Sequence, residues 1–552
     1  MDEGAHTGAT REATDAATPA LDVSDHAPTA RLALAGAAAT AVALGVAELV
    51  SGLSGGDHSL LTAVGTSFID RFSGPLKEPA VRLFGTADKP ALTIGMVVVT
   101  LALGAVVGVL GARRRWLAPV AFGAAGLVGV ASAVADPLAS VPFAVAGAAL
   151  GVLAGVGTLR ALSRLAVGRP AVTTTRTVTE RPIEYPSDRR ADRRQFFGWA
   201  GAAGAFALVA GAAGRAAGSR SNVEAARSTI TLPRPTGTTI APSPADGMLG
   251  VETGTGAGKL SPYLTPNDAF YRIDTALLTP QVDLASWRLK VAGLVDRPFE
   301  LSYADLLALP QVEETVTLSC VSNEVGGELV GNAAWTGVPL STLLERAGVQ
   351  AGAGQLVGIS VDGFTAGFPT SAATDGRVAL VAVGMNGEPL PADHGFPARL
   401  VVEGLYGYVS ATKWLSEIRL SPWEGVDGYW IPRGWAKEAP IKTQSRIDVP
   451  RGNAVPAGRV PIAGVAWAPG RGVSKVEVQV DDGPWQEARL GEVRSDATWR
   501  QWMLPWDATP GRHRLRVRAT DGTGQTQTEA ESRPDPDGAT GWHERTVTVV
   551  ET

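Results

Sequence analysis

The sequence predicts three regions in series: an N-terminal all-α transmembrane region, a mixed α+β domain and a C-terminal all-β sandwich. Three observations carry this reading. Residues 32–160 are mostly Ala, Gly, Val and Leu in long uncharged runs. From residue 261 charges, Trp and Pro are spread as in a soluble protein, and short helical and strand-like runs alternate. Beyond residue 441 only alternating runs remain, broken by turn residues. A chain of 552 residues has room for several domains. The net charge of -5, with no Lys/Arg block interleaved with aromatics, gives nucleic-acid binding no footing. The 1 cysteine allows no intramolecular disulfide, and a lone cysteine is usually a small buried hydrophobe.

Residues 1–30 are polar and acidic and are expected to form a disordered cytoplasmic tail. Four runs in the region 31–160 then have the length of a membrane span, about 20 apolar residues. Residues 32–53 carry Glu48 as their one charge, while residues 91–111, 116–135 and 141–159 carry none. The spans hold no histidine, which argues against a bis-histidine haem among them. With Glu48 as the one obvious buried charge, a transporter also has little support. Arg113, Arg114 and Arg115 lie between the second and third spans, and residues 161–195 form an Arg-rich linker. The positive-inside rule makes both segments cytoplasmic, and the N-terminus with them.

Asp192-Arg193-Arg194-Gln195-Phe196-Phe197 opens an apolar stretch to about Gly214 and resembles a twin-arginine export signal placed inside the chain. Residues 196–217 form a fifth span that sends everything after it to the extracytoplasmic side of the cytoplasmic membrane; whether this span is cleaved is open. Residues 218–260, rich in Ser, Thr, Pro and Gly, are expected to be a flexible linker.

The mixed domain covers residues 261–440. Trp287–Gly293 alternates like a strand, Ser302–Leu309 reads as a short helix capped by Ser302 with Asp305 in its first turn, and Leu340–Ala347 reads as a helix. Thr315–Leu318 is a β-branched run entering Ser319-Cys320, and Arg399–Val402 reads as a buried strand. In residues 441–552 the runs Ile462–Ala466, Val473–Val480, Trp499–Leu504 and His513–Thr520 point to an immunoglobulin-like sandwich.

Two motifs carry chemistry. Thr317-Leu318-Ser319-Cys320-Val321-Ser322-Asn323, followed by Gly326-Gly327, places a thiol at a strand end with glycines that let backbone come close to a bulky group. Asp393-His394-Gly395-Phe396-Pro397-Ala398-Arg399 continues to Ser410-Ala411-Thr412-Lys413-Trp414-Leu415. Together they resemble the sulfite oxidase family. The resemblance covers residues 261–552 and not the membrane half. It implies a sulfite-oxidase-type fold and a molybdenum–molybdopterin cofactor, with Cys320 as the metal's ligand. A soft thiolate suits such a metal. It further implies pterin and phosphate contacts from Asn323, His394, Arg399, Ser410, Thr412 and Lys413. Arg399 can fork onto a phosphate and Lys413 can add a point charge. Softer matches place Tyr271, Arg272 and Asp362 at the cofactor. The implied activity is oxygen-atom transfer, either oxidising sulfite-like or reducing sulfoxide- or oxide-like small molecules. Electrons pass to or from a separate partner, a cytochrome or a quinone-linked protein, and the C-terminal part resembles a dimerisation domain.

The chain also departs from the family. Glu324-Val325 stand where the family has paired basic residues, and Trp435 stands where it has an active-site Tyr. Sulfite is a small dianion that needs clustered cations. Arg433, taken as catalytic with Trp435, and Arg471 can supply some charge. The competing reading is a non-enzymatic, membrane-tethered binding protein that retains a relict molybdopterin domain.

Overall fold

The computed structural model describes residues 26–54, 58–84, 88–167, 189–218, 223–236, 251–252, 258–451 and 454–551. The tail expected over 1–30 lies largely outside them, as do the middle of the Arg-rich linker and much of the 218–260 linker. Among the described residues six helices precede residue 220: α1 (His26–Gly52), α2 (Leu60–Phe84), α3 (Asp88–Arg113), α4 (Leu117–Ala135), α5 (Val141–Val167) and α6 (Arg189–Gly218). Five stretches are long and apolar enough to cross a membrane: Thr29–Gly52, Lys89–Arg113, Leu117–Ala135, Val141–Ala166 and Arg193–Ala217. These are the five runs the sequence marks. Helix α2 is an addition. Its Asp70 and Arg71, with further charges after them, make it too polar for a span.

The described chain forms two compact units. The first holds residues up to Leu49, Leu92–Val128 and Ala146–Ala212. Small residues let its helices touch through backbone, the device membrane helices use where no hydrophobic drive separates protein from lipid. A Cβ on Gly36 of α1 would stand 2.0 Å from the Gly104 carbonyl oxygen and 2.8 Å from the Gly108 Cα of α3. Large apolar side chains point outward instead, with Leu127 73% and Leu208 78% exposed. A helix face of this kind suits lipid and is costly in water.

The second unit holds Val50–Ala91, Gly129–Val145 and everything from Ala213. Part of the expected linker is ordered here. Helix α7 (Val223–Ser228) buries Val223, Arg227 Nε donates to the Pro389 carbonyl at 3.0 Å, and Thr236 N donates to the Gln311 carbonyl at 2.7 Å. Residues 223–236 are therefore docked, because an apolar anchor and specific hydrogen bonds outweigh the turn-prone composition.

The α+β part runs β1 (Arg288–Gly293), β2 (Phe299–Ser302), α8 (Tyr303–Ala308), β3 (Val312–Ser319), β4 (Val330–Pro339) and α9 (Leu340–Ala347). It continues through β5 (Gln355–Ser360), β6 (Thr365–Pro369), β7 (Ala379–Met385), β8 (Glu388–Pro389), β9 (Arg399–Val402), α10 (Gly407–Ser410) and β10 (Leu415–Ser421). One sheet has the order β2-β1-β10-β5-β6, the other β3-β4-β7-β8 with β9 also paired to β7. The cap expected at Ser302 is a full capping box: its Oγ accepts from Asp305 N while Asp305 accepts from Ser302 N. Such a cap contributes about 1 kcal/mol.

Strands β11 (Gln444–Val449), β12 (Val455–Pro456), β13 (Gly458–Trp467), β14 (Val473–Val480), β15 (Gln486–Glu487), β16 (Arg489–Leu490), β17 (Arg500–Ala508), β18 (Gly511–Asp521) and β19 (His543–Val550) form two further sheets. Their orders are β11-β13-β17-β16 and β12-β19-β18-β14-β15. Ile447, Ile462 and Trp502 from one sheet and Val476, Val517 and Val547 from the other share one core. Val465, Trp467 and Trp499 instead join the core of the α+β part, so the two parts are welded through buried apolar contact. Each fully buried large side chain contributes about 1.5–3 kcal/mol.

Candidate active site

A cavity opens in the α+β part, lined mostly by apolar and aromatic side chains with a few polar groups among them, as small-molecule sites commonly are. Its wall includes Cys320 from the end of β3, Tyr271 and Asp274 from the segment before β1, Asp362 after β5, Arg399 at the start of β9, Tyr408 on α10, then Lys413, Trp414 and Trp430.

Cys320 is buried, 6% exposed. Its backbone N donates to the Leu329 carbonyl at 2.9 Å, and Asn323 N donates back to the Cys320 carbonyl at 3.1 Å. Asn323 Oδ1 accepts from Leu329 N at 2.8 Å. Asn323 thus closes the loop that presents the thiol. Gly326 behind it faces a neighbour from another part of the chain. A Cβ on Gly326 would meet the His543 ring at 2.2 Å, so this space is filled by the C-terminal module. Burial, then the adjacent Cys320, pushes the Tyr271 phenol far above its ordinary pKa.

Arg399 is 4% exposed and donates to the His394 carbonyl through Nη1 at 3.0 Å. Its guanidinium lies 4.9 Å from the Trp335 ring centroid. No carboxylate pairs with it among the described residues. Burial pulls its pKa down to about 10. Lys413 Nζ reaches Asp274 Oδ2 at 3.1 Å and the Asp393 carbonyl at 2.9 Å. Burial, against the pull of Asp274, brings its pKa down to about 8. Burial raises Asp274 itself, but Lys413, Lys89 and Arg272 together hold its carboxyl well below the usual carboxylate range. The peptide that presents Lys413 is strained: Trp414 has φ 50, a left-handed conformation that costs a non-glycine residue about 1–3 kcal/mol. It is held by Trp414 N on the Gly395 carbonyl and Nε1 on the Ala392 carbonyl.

His394 contacts the Asn267 carbonyl through Nε2 at 2.9 Å, while its buried Nδ1 has no hydrogen-bond partner among the described residues. Burial, then Lys413 and Arg399, lowers its pKa to about 4, which keeps the ring neutral. Burial pushes the Asp362 carboxyl up. Ser410 Oγ donates to the nearby Leu405 and Tyr406 carbonyls, and Thr412 Oγ1 to the Gly358 carbonyl of β5, so both donate to backbone.

Arg272, Arg433 and Arg471 are absent from the cavity lining. Arg272 pairs with Asp274 and Asp393. Arg433 stacks 3.7 Å over the Tyr429 ring and donates to the Asp70 carbonyl at 2.8 Å. Arg471 pairs with Asp521 at 2.9 Å in the C-terminal module. Trp435 is not in the cavity wall; it packs on Tyr408 at 5.8 Å and Trp430 at 6.3 Å, which are. Glu324 is exposed. Sequence reasoning missed Asp274, two residues past Arg272, and Tyr408, for which aromatic density over 406–435 is the local signal.

The walls fit the group that the resemblance implies. A soft thiol and a buried guanidinium without a carboxylate line one cavity, as a thiolate-ligated metal bearing a phosphorylated organic ligand requires. A family model for the oxidoreductase molybdopterin binding domain matches residues 276–430. Human mitochondrial sulfite oxidase is 33% identical over 303 residues, covering 46% of this chain and 55% of that protein. The chain thus spans about half the length of this relative. Sulfite oxidase of Arabidopsis thaliana is 32% identical over 304 residues, 44% of this chain and 77% of that protein. The uncharacterized oxidoreductase YuiH of Bacillus subtilis (strain 168) is 34% identical over 179 residues, 32% of this chain and 87% of that protein. A cavity that joins Cys320 to Arg399 and Lys413 inside the matched segment completes the case: the chain belongs to the sulfite oxidase family of molybdopterin-dependent oxidoreductases.

Proposed function

We propose that the chain is an oxygen-atom-transfer oxidoreductase, held in the cytoplasmic membrane with its molybdopterin site on the extracytoplasmic side. The observation that carries the chemistry is the sharing of one cavity by the Cys320 thiol and the buried Arg399 cation. When bound, the molybdenum cofactor supplies two-electron oxygen-atom transfer. Cys320 provides the thiolate ligand. Arg399 and Lys413 hold the phosphate, and Tyr271, Asp362 and His394 contact the pterin. Asn323 holds the Cys320 loop, and Ser410 and Thr412 shape the turn that presents Lys413. Arg272 acts indirectly, by fixing Asp274 and Asp393. The C-terminal two-sheet module is read as immunoglobulin-like and as the surface for a homodimer, and a separate cytochrome or quinone-linked protein exchanges the electrons.

The substrate is a small molecule less charged than sulfite. A dianion needs fixed cations beside the metal, yet Arg272 is paired with Asp274 and Asp393, Arg471 is paired with Asp521, and Arg433 lies over Tyr429 outside the cavity lining. Phe270, Phe364, Tyr408 and Trp430 give the cavity an aromatic lining. Trp435 packs against two of these rings, Tyr408 and Trp430. Steady-state kinetics with a dye electron carrier tests this in both directions. Turnover of an uncharged sulfoxide is expected to exceed that of sulfite. A kcat/KM for sulfite at or above about 10⁴ M⁻¹s⁻¹, the range of enzymes on proper substrates, contradicts it.

Orientation rests on Arg113, Arg114 and Arg115 and on the Arg-rich stretch before α6. A five-span path puts residues 54–90, the 136–140 connection and the catalytic part on one side. The grouping of Val50–Ala91, Gly129–Val145 and Ala213–Thr552 in one unit supports that path. Changing Arg193 and Arg194 together to Lys is expected to leave the catalytic part inaccessible to protease added to intact cells. Unchanged cleavage counts against twin-arginine export.

A further inference from the structure

One cation at the cavity wall comes from outside the family domain. Lys89, at the start of α3, places Nζ 2.5 Å from Asp274 Oδ1 and 2.7 Å from the Ala276 carbonyl. Lys413 Nζ and Arg272 Nε occupy Oδ2 of the same carboxylate, at 3.1 and 3.0 Å. Three cations therefore surround one buried carboxylate whose side chain is 6% exposed. A second contact anchors the same segment at the cavity. Tyr429 OH donates to Asp70 Oδ1 of α2 at 2.8 Å, and Tyr429 precedes the lining residue Trp430.

The electrostatic consequence is direct. Asp274 is an anion in the wall that also carries Arg399 and Lys413. A phosphate bound by those two cations faces its negative charge at short range, where low dielectric makes repulsion strong. An ammonium on Oδ1 offsets that charge without drawing further on Lys413.

We propose that Lys89, a residue of the membrane-spanning half, is a positioning residue of the cofactor site: it neutralises Asp274 so that Lys413 and Arg399 remain available to a phosphate. This rests on the reading that the cavity holds a phosphorylated pterin. Seating of the start of α3 and retention of the cofactor then become one coupled event.

The test measures pterin per chain, by fluorescence after oxidative release, during dialysis of detergent-purified full-length protein. Wild type, Lys89→Met, Lys89→Arg and the double variant Lys89→Met/Asp274→Asn are compared. Lys89→Met is expected to lose pterin about three- to fivefold faster, the size of a partly exposed ion pair. Lys89→Arg should retain it like wild type, and removing the carboxylate in the double variant should restore retention. Equal retention by loaded wild type and Lys89→Met overturns the inference while leaving the cofactor reading intact. Loss that Asp274→Asn does not relieve also overturns it, since Lys89 would then act by another route. A wild-type chain without pterin overturns the cofactor reading and this inference together.

Discussion

Replacing Cys320 by Ser is expected to abolish turnover while leaving a folded chain that still carries pterin. The loop around Cys320 is held by backbone bonds to Leu329 and Asn323 and by the Asn323 side chain, none of which uses the thiol. Serine preserves that framework and adds a buried hydroxyl at a cost of about 1–3 kcal/mol. The metal loses a soft ligand that an oxygen donor does not replace. Even outer-shell partners of metal sites are worth about 10–100-fold, so a direct ligand should cost more than about 100-fold in turnover. Molybdenum content should fall with it. A Ser variant with wild-type rate and metal content removes Cys320 from the site.

Arg399→Met is expected to separate stability from binding. In the cofactor-free chain the guanidinium is a buried cation without a carboxylate, and isolated burial costs several kcal/mol per ion. Its bond to the His394 carbonyl and its place over Trp335 return about the same amount. Thermal unfolding of the pterin-free protein should therefore move by no more than about 1 kcal/mol. Pterin binding should weaken by about 2–5 kcal/mol, as for other buried charge pairs cut on one side. That is on the order of 30- to several-thousand-fold in affinity. An ordinary packing residue behaves the other way round. Full pterin loading with a large drop in melting temperature identifies Arg399 as structural.

Legibility in the sequence followed the range of the interactions. The spans, the Ser302 cap, the helix at Leu340–Ala347 and the strand at Arg399–Val402 depend on periodicity and neighbours within a few residues, and each stands where the sequence puts it. The thiol and the two phosphate-binding candidates were visible because short motifs surround them. Ion pairs were not. Arg471 looked available because its carboxylate partner, Asp521, lies 50 residues away, and Arg433 because the backbone carbonyl it reaches, that of Asp70, lies 363 residues away. Asp274 and Lys89 are separated by 185 residues and meet only after the chain has folded. Helix α2 escaped notice because charges interrupt its apolar residues. At Gly326 the group that comes close is His543, and at Gly327 it is the Asn323 side chain, neither of which neighbouring residues announce.

The central claim is that this chain carries molybdenum and a pterin at the Cys320 cavity. Elemental and pterin analysis of the purified full-length protein tests it most directly. About one molybdenum and one pterin per chain, with the molybdenum lost in Cys320→Ser, is the expected result. Redox turnover by wild-type protein free of molybdenum, or a chain with neither metal nor pterin, contradicts the account.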